Sequence, residues 1–430
     1  MIRRLVVLAL LVGGAVLLEP LRVPTEGVIA PRSLFLFGIL LLTADTFGAL
    51  AHDLGFPRLV GYLVSGLALG PSAMEIVPPG VLQDLGMMKQ LAVGVIALLA
   101  GAELRLSDLR QRYRPILWIL FCQGVAVLVL LTVGTLLFRD WVPFMQDLTP
   151  WAVLCVALLF ATALTVNSPM VTLALLTETR ADGPVARTTL GVVLVADVVV
   201  VLVFTATFAL AQSSLGGASE GALPMLLRLL REVMGSIAAG ALIGGLLTLY
   251  LRFVRRELVL FAVVVVFATA AVAQALHFEL LLSLLVAGFL VENVAPVRAE
   301  PLVHALHLMA VPVFVVFFAM AGAELRVQAF VALWPLVLGA ALLRILGVYG
   351  GARVGATWGG AEPIVRQHAW TGLVSQAGVA LGLASIVADR LPRIGVAMQT
   401  LIVGVIAFNE TVGSVVFRRG LELAGELRER

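Results

Sequence analysis

Long apolar runs, broken by short clusters of Arg, Gly and Pro, follow one another along almost the whole chain. A bilayer core about 30 Å thick needs roughly 20 apolar residues for each spanning helix. Cutting at the charged and Gly/Pro clusters predicts fourteen helices, at 4–19, 33–51, 57–72, 84–104, 114–137, 150–176, 184–211, 224–252, 256–275, 278–294, 303–324, 329–355, 365–388 and 395–419. The ten-residue alternation of a membrane barrel is absent, so the expected class is an all-α polytopic membrane protein.

Composition agrees with the pattern. Of 430 residues, 61% are hydrophobic and 13% charged, against about 25% charged in a soluble domain. The net charge of +3 is what extra Arg on cytoplasmic loops produces, and it gives no reason to expect nucleic acid as a partner. Cys122 and Cys155 fall inside apolar runs and read as packing residues. Arg3 and Arg4 precede the first apolar stretch, so a cleaved signal peptide is an alternative there; LEPLRVPTEG has no small-x-small cleavage site, which favours a retained helix.

Arginine placement assigns the sides. Arg3 and Arg4, Arg110, Arg112 and Arg114, Arg180 and Arg187, Arg252, Arg255 and Arg256, and Arg418 and Arg419 all fall on one side of a fourteen-helix chain. The positive-inside rule then puts both termini in the cytoplasm of a cell inner membrane, and the Ser/Gly-rich stretch 212–221 outside.

The hexapeptide Ala-Gly-Ala-Glu-Leu-Arg occurs at 100–105 and again at 321–326. The two copies close predicted helices of opposite direction. Gly66 in YLVSGLALG and Gly288 in LLVAGFLVE extend the likeness to the preceding helices. The expectation is an inverted repeat, with the six helices from 33 to 211 matching the six from 256 to 419. Secondary transporters of this build hold their substrates between the repeats near the midplane.

Asp197 lies almost midway along the predicted helix 184–211, in LGVVLVADVVVVLVF. An Asp at that depth costs about 2.5–3.5 kcal/mol on insertion scales, so it has a partner or a function. One reading is an ion pair that only orients helices; the other is a cation- and proton-binding carboxylate. The helix 150–176 supports the second, because ATALTVNSPM sets Thr162, Thr165, Asn167 and Ser168 before Pro169. Proline removes a backbone donor and clashes with the preceding turn, which opens the helix and frees carbonyls for a cation. A plain proline kink is the alternative. The mate of this helix reads LVSQAGVALGLA, with Ser375 and Gln376 at the corresponding depth. Arg344, mid-helix in ALLRILGVYGG, balances charge but cannot shuttle a proton. Lys89 is the sole lysine, so no buried lysine is expected in proton release.

Weaker candidates are Glu410 and Asn409 in FNETVG, and Asp45 in LLTADTFGAL. His277, His304, His307 and His368 are placed at helix ends and His52 in a loop, as interface residues. No His/Cys cluster has metal-ligand spacing, and no phosphate loop or dinucleotide fingerprint occurs, so no cofactor and no transition metal are expected.

The stretch Gly55 to Ser72, GFPRLVGYLVSGLALGPS, resembles the opening pattern of the cation/proton antiporter-2 family, which includes the Kef-type potassium/proton antiporters. The resemblance continues through GAELRLSDLR and GLVSQAGVALGLA to FNETVG, across residues 33–420. It implies an NhaA-type fold with two crossed broken helices and a homodimer. It also implies a scaffold at 31–113 and 254–326, a mobile core at 114–212 and 327–420, and a linker at 213–253. Residues 1–30 then add a helix and 421–430 a cytoplasmic tail. On this resemblance Asp197 takes the place of the ion-binding aspartate, Thr162 and Asn167 lie on the first broken helix, and Arg344 faces the site. Electrogenic members carry two adjacent acids, whereas Ala196 precedes Asp197 here; Kef-type members carry Gln at that position and a nucleotide-binding domain after the helices. The expected function is electroneutral exchange of sodium, or next potassium, for protons. Rivals are a cation-coupled symporter of an organic anion and a non-transporting sensor or channel.

Overall fold

The computed structural model describes residues 31–145, 148–215, 222–254, 256–276, 278–294, 299–324, 327–376, 379–391 and 393–427. The helix expected at 4–19 and His277 lie outside them. The described residues form helices α1 (Pro31–Asp53), α2 (Arg58–Leu69), α3 (Pro79–Asp84), α4 (Gly86–Glu103), α5 (Leu106–Leu137), α6 (Pro150–Ala163), α7 (Pro169–Thr179) and α8 (Pro184–Ser214). After these come α9 (Ala222–Phe253), α10 (Leu258–Leu276), α11 (Leu280–Asn293), α12 (Glu300–Glu324), α13 (Val327–Trp358), α14 (Pro363–His368), a 3-10 turn (Ala369–Leu373), α15 (Val379–Arg390) and α16 (Gly395–Leu423). Among the described residues, 8 helices are long and apolar enough to cross a membrane. Shorter apolar helices, α2, α6 and α11 among them, pack between these.

The hexapeptide repeat is a packing device. A Cβ on Gly101 of α4 would lie 1.9 Å from the Leu285 carbonyl oxygen of α11, and one on Gly288 would lie 2.3 Å from that of Leu98. The other copy repeats this residue for residue: Gly322 of α12 would meet the Leu63 oxygen of α2 at 2.2 Å, and Gly66 the Ala319 oxygen at 2.0 Å. In each crossing, a glycine touches the carbonyl three residues before the opposite glycine. Small residues let membrane helices approach backbone to backbone, where close packing replaces the missing hydrophobic drive. The two copies also lie at opposite ends of the bundle. Glu324 pairs with Lys89 at 2.5 Å, in the first turn of α4, whereas Glu103 closes α4 at its other end and meets His307 at 2.9 Å.

A second glycine row joins α13 to α5. Cβ atoms on Gly347, Gly351, Gly355 and Gly359 would each come within 2.9 Å of the α5 backbone, near Val127, Cys122, Trp118 and Pro115 in turn. Three of these, spaced four apart, line one face of α13, and Gly359 continues the row just past its end. Helix α5 begins at Leu106, earlier than its expected start at 114. It runs through Pro115, which packs against Gly359. His52, expected in a loop, belongs to the last turn of α1. At the far end of the chain, Glu426 accepts hydrogen bonds from the backbone N–H groups of Val185 (2.7 Å) and Ala186 (2.8 Å), capping α8.

Valine at Gly101 or Gly322 should lower stability by about 1–3 kcal/mol or more, because backbone cannot yield as a side chain does. Thermal unfolding in detergent should show a drop for both, and none for valine at Gly38, which has open space around it.

Candidate functional site

Two chain breaks meet inside the bundle. Helix α6 stops at Ala163 and α7 starts at Pro169, with 164–168 non-helical or turn between them. Ser168 takes extended angles and caps α7, its hydroxyl accepting from the Val171 N–H at 3.2 Å; Pro169 follows as a first helical residue that needs no donor. The second break follows the 3-10 turn Ala369–Leu373 and precedes α15; residues 377 and 378 within it lie outside the described ones. The breaks touch directly where the Ser168 N–H donates to the Ser375 carbonyl at 3.0 Å.

Helix ends leave carbonyls without partners, and hydrocarbon offers none, so protein groups or a watery cavity must supply them. Arg344 of α13, fully buried, satisfies them across both breaks. Its Nε donates to the Leu164 carbonyl (2.7 Å), Nη1 to that of Val374 (2.5 Å), and Nη2 to Val166 (2.9 Å), Leu373 (3.2 Å) and the Asn167 Oδ1 (3.2 Å). A guanidinium carries five N–H donors in a rigid fork, which is the shape this convergence of acceptors requires. Every described partner of Arg344 is a neutral oxygen.

Amides extend the network. Gln376 Nε2 donates to the Leu164 carbonyl (3.0 Å), Asn409 Nδ2 donates to Gln376 Oε1 (2.9 Å), and Asn167 Nδ2 donates to Gln123 Oε1 (3.3 Å). The threonines serve local turns: Thr162 donates to the Leu158 carbonyl and Thr165 to that of Thr162. The buried side-chain oxygens without a partner among the described residues include Ser375 Oγ, Asn409 Oδ1 and Glu410 Oε1. A Cβ on Gly413 would lie 2.4 Å from Ser375 Oγ, so the missing side chain admits the second break against α16 one turn from Glu410.

The structure thus gathers Thr162, Thr165, Asn167, Ser168, Arg344, Ser375, Gln376 and Asn409 in one place. Asp45 is exposed on α1, apart from this network. Asp197 lies in α8, which packs against α6, α7 and the 3-10 turn; its side chain lies outside the described ones. Sequence reasoning missed Gln123, a lone amide in the apolar run FCQGVAV. It also missed the four main-chain carbonyls, which no side-chain pattern reports. Cys122 and Cys155 are buried and unlinked. No group of His, Cys, Asp and Glu among the described residues has the arrangement of a metal site.

Buried helices whose breaks meet inside the bundle are the build of a secondary transporter. The transmembrane model of the sodium/hydrogen exchanger family matches residues 37–421, and the chain belongs to that family. It is a membrane-embedded cation/proton antiporter by family and no enzyme. Its fold is similar to that of the sodium proton antiporter MjNhaP1 from Methanocaldococcus jannaschii. One structure of that protein, at pH 8, matches with TM-score 0.63 and 16% identity over 92% of this chain and 98% of the other. An electron-microscopy map of the same protein matches with TM-score 0.66 and 14% identity over the same shares. No curated protein sequence matches the chain.

Replacing Arg344 with Met should strip the caps from both breaks. Each uncapped buried acceptor costs about 1–3 kcal/mol, so a loss of at least 3 kcal/mol is expected. Lysine has three donors on a point charge and should recover only part of it. Thermal unfolding should rank wild type above R344K and R344K above R344M; an R344M protein as stable as wild type would show the caps to be dispensable.

Proposed function

We propose that the chain exchanges a monovalent cation, sodium first and potassium next, for protons by alternating access, with Asp197 as the residue both ions occupy in turn. The observation that carries this is the meeting of the two breaks under one arginine, beside the helix that bears Asp197. The side-chain oxygens of Thr162, Thr165, Asn167 and Ser168 are hard ligands of the kind that replace a cation's hydration shell. With a cation or a proton bound, the carboxylate is neutral and crosses an apolar barrier; bare, it is held back by the cost of a charge in hydrocarbon. One rule of neutrality then couples the two ions. Arg344, its donors already given to carbonyls, contributes a fixed positive charge beside the site and cannot itself carry the proton.

The narrower placement is the cation/proton antiporter-2 branch with an NhaA-type, fourteen-helix topology and cytoplasmic termini in a cell inner membrane, working as a homodimer. Supporting it are the sequence signature Gly55 to Ser72 and the repeat at 100–105 and 321–326. The helices of 114–212 and 327–420 form the moving core, against a scaffold of 31–113 and 254–326. The glycine row that binds α13 to α5 supports this division, since it ties the two segments of that core to each other.

Asn at position 197 should abolish cation-dependent proton movement in proteoliposomes while leaving the unfolding temperature close to wild type, because an amide exchanges no proton. Wild-type rates in that variant would refute the assignment. With Ala196 supplying no second acid, exchange should be one for one. Ion distributions at steady state should therefore not move when valinomycin sets different membrane potentials; a shift with voltage would mean unequal charge transfer.

A further inference from the structure

At the arginine-rich end of the bundle, a cleft of about 630 Å³ opens between α13, the α14 turn and α16. Its rim is cationic and aromatic, with Arg353 and Tyr349 from α13, His368 and Trp370 from the turn, and Arg419 from α16. Val416 lies on its apolar side. Arg353 donates to the Tyr349 hydroxyl and sits 5.1 Å from its ring centre, while Tyr349 and Trp370 meet edge to face at 5.1 Å. Arg419 donates to Glu422 at 2.6 Å, the one acidic contact described for these cations. Each guanidinium has five N–H donors and spends one in these bonds, so most of each fork stays available.

Depth gives the cleft its meaning. Arg353 stands five residues before the end of α13 and Arg419 four before the end of α16, about 6–8 Å in at 1.5 Å per residue. That is the thickness of one head-group layer, since a bilayer of about 40–45 Å holds a core of about 30 Å. Tyr349, about 13 Å in, and Val416, about 10 Å in, lie one step deeper, at the level of the acyl chains.

We propose that this cleft binds an anionic phospholipid, with its phosphate held by Arg353 and Arg419 and its glycerol and first acyl carbons against Tyr349, Trp370 and Val416. Guanidinium pairs grip phosphate oxygens two at a time, and basic pockets between membrane helices on the cytoplasmic side are suited to such head groups. The apolar side selects a lipid over a free anion, which has no use for it. The three elements that line the cleft also carry Arg344, the second break and Asn409, so a lipid there braces the half of the bundle that holds the caps.

The test uses the full chain in a neutral detergent, with phosphatidylglycerol, phosphatidylcholine or inorganic phosphate added, and reads unfolding temperature and lipid retained in native mass spectrometry. Phosphatidylglycerol should raise the unfolding temperature by about 2–4 °C over phosphatidylcholine, and R353Q/R419Q should lose that rise and most of the retained lipid. E422Q, which removes the competing carboxylate, should retain more phosphatidylglycerol than wild type, a gain that misfolding cannot imitate. Equal effects of the two lipids, undiminished retention by R353Q/R419Q, or no gain with E422Q would overturn the proposal. Phosphate alone reproducing the shift would overturn it too, in favour of an aqueous anion. Both readouts are independent of ion exchange, so a failure here leaves the assignment of Asp197 untouched, and the reverse holds as well.

Discussion

The guanidinium of Arg344 is the interaction on which the interior depends. Two helices cannot stop in the middle of a membrane unless protein or a watery cavity satisfies the carbonyls at their ends. One side chain closes both ends, reaching Leu164, Val166, Leu373 and Val374 from its three nitrogens. The breaks are thereby held as a pair. A buried charge without a described acid beside it is costly, and the carbonyl dipoles aimed at it are what offset that cost. The amides of Gln123, Gln376 and Asn409 extend the arrangement from α5, the second break and α16.

Packing brings that arginine into position. Gly347 is the first of four glycines that draw α13 onto α5, and Arg344 stands one turn before it. The close approach of the two backbones fixes how far the side chain reaches. Elsewhere, the matched crossings at Gly66–Gly322 and Gly101–Gly288 use the same device, with lipid-like side chains left to face outward. In a bilayer, where burial of apolar surface gains little between helices, such contacts between small residues are the main source of specificity.

Much of this was legible in the sequence, and what was not has physical reasons. The hexapeptide and the likeness around Gly66 and Gly288 were legible as a repeat, while the backbone contacts those glycines make with one another's helices came only with the structure. Pro169 marked the first break, because its missing N–H is a chemical fact of the residue. The second break has no proline; Ser375 and Gln376 gave only its neighbourhood, and the 3-10 turn before it was hidden in an ordinary apolar stretch. Arg344 was visible as a misplaced charge, yet its partners were not, since main-chain carbonyls leave no trace in composition. Charge balance suggested an acid for it, and the partners described are carbonyls at the helix ends and the Asn167 side chain. The row Gly347, Gly351, Gly355 and Gly359 was readable by its spacing of four and was passed over, because its partner surface on α5 is made of backbone and carries no complementary motif.

The reciprocal glycine crossings bear on how the chain is made. Gly66 and Gly101 belong to its first half, yet the backbones they touch, near Ala319 and Leu285, emerge from synthesis some two hundred residues later. Each of the four crossing glycines meets a backbone that belongs to the other half. The early helices therefore enter the membrane with these two grooves unfilled until α11 and α12 are made. Closure comes only when α11 and α12 arrive and both crossings form within a short interval. Biogenesis is thus a waiting step followed by a late, paired docking, and a substitution in the later half would be felt as a failure of helices made long before it.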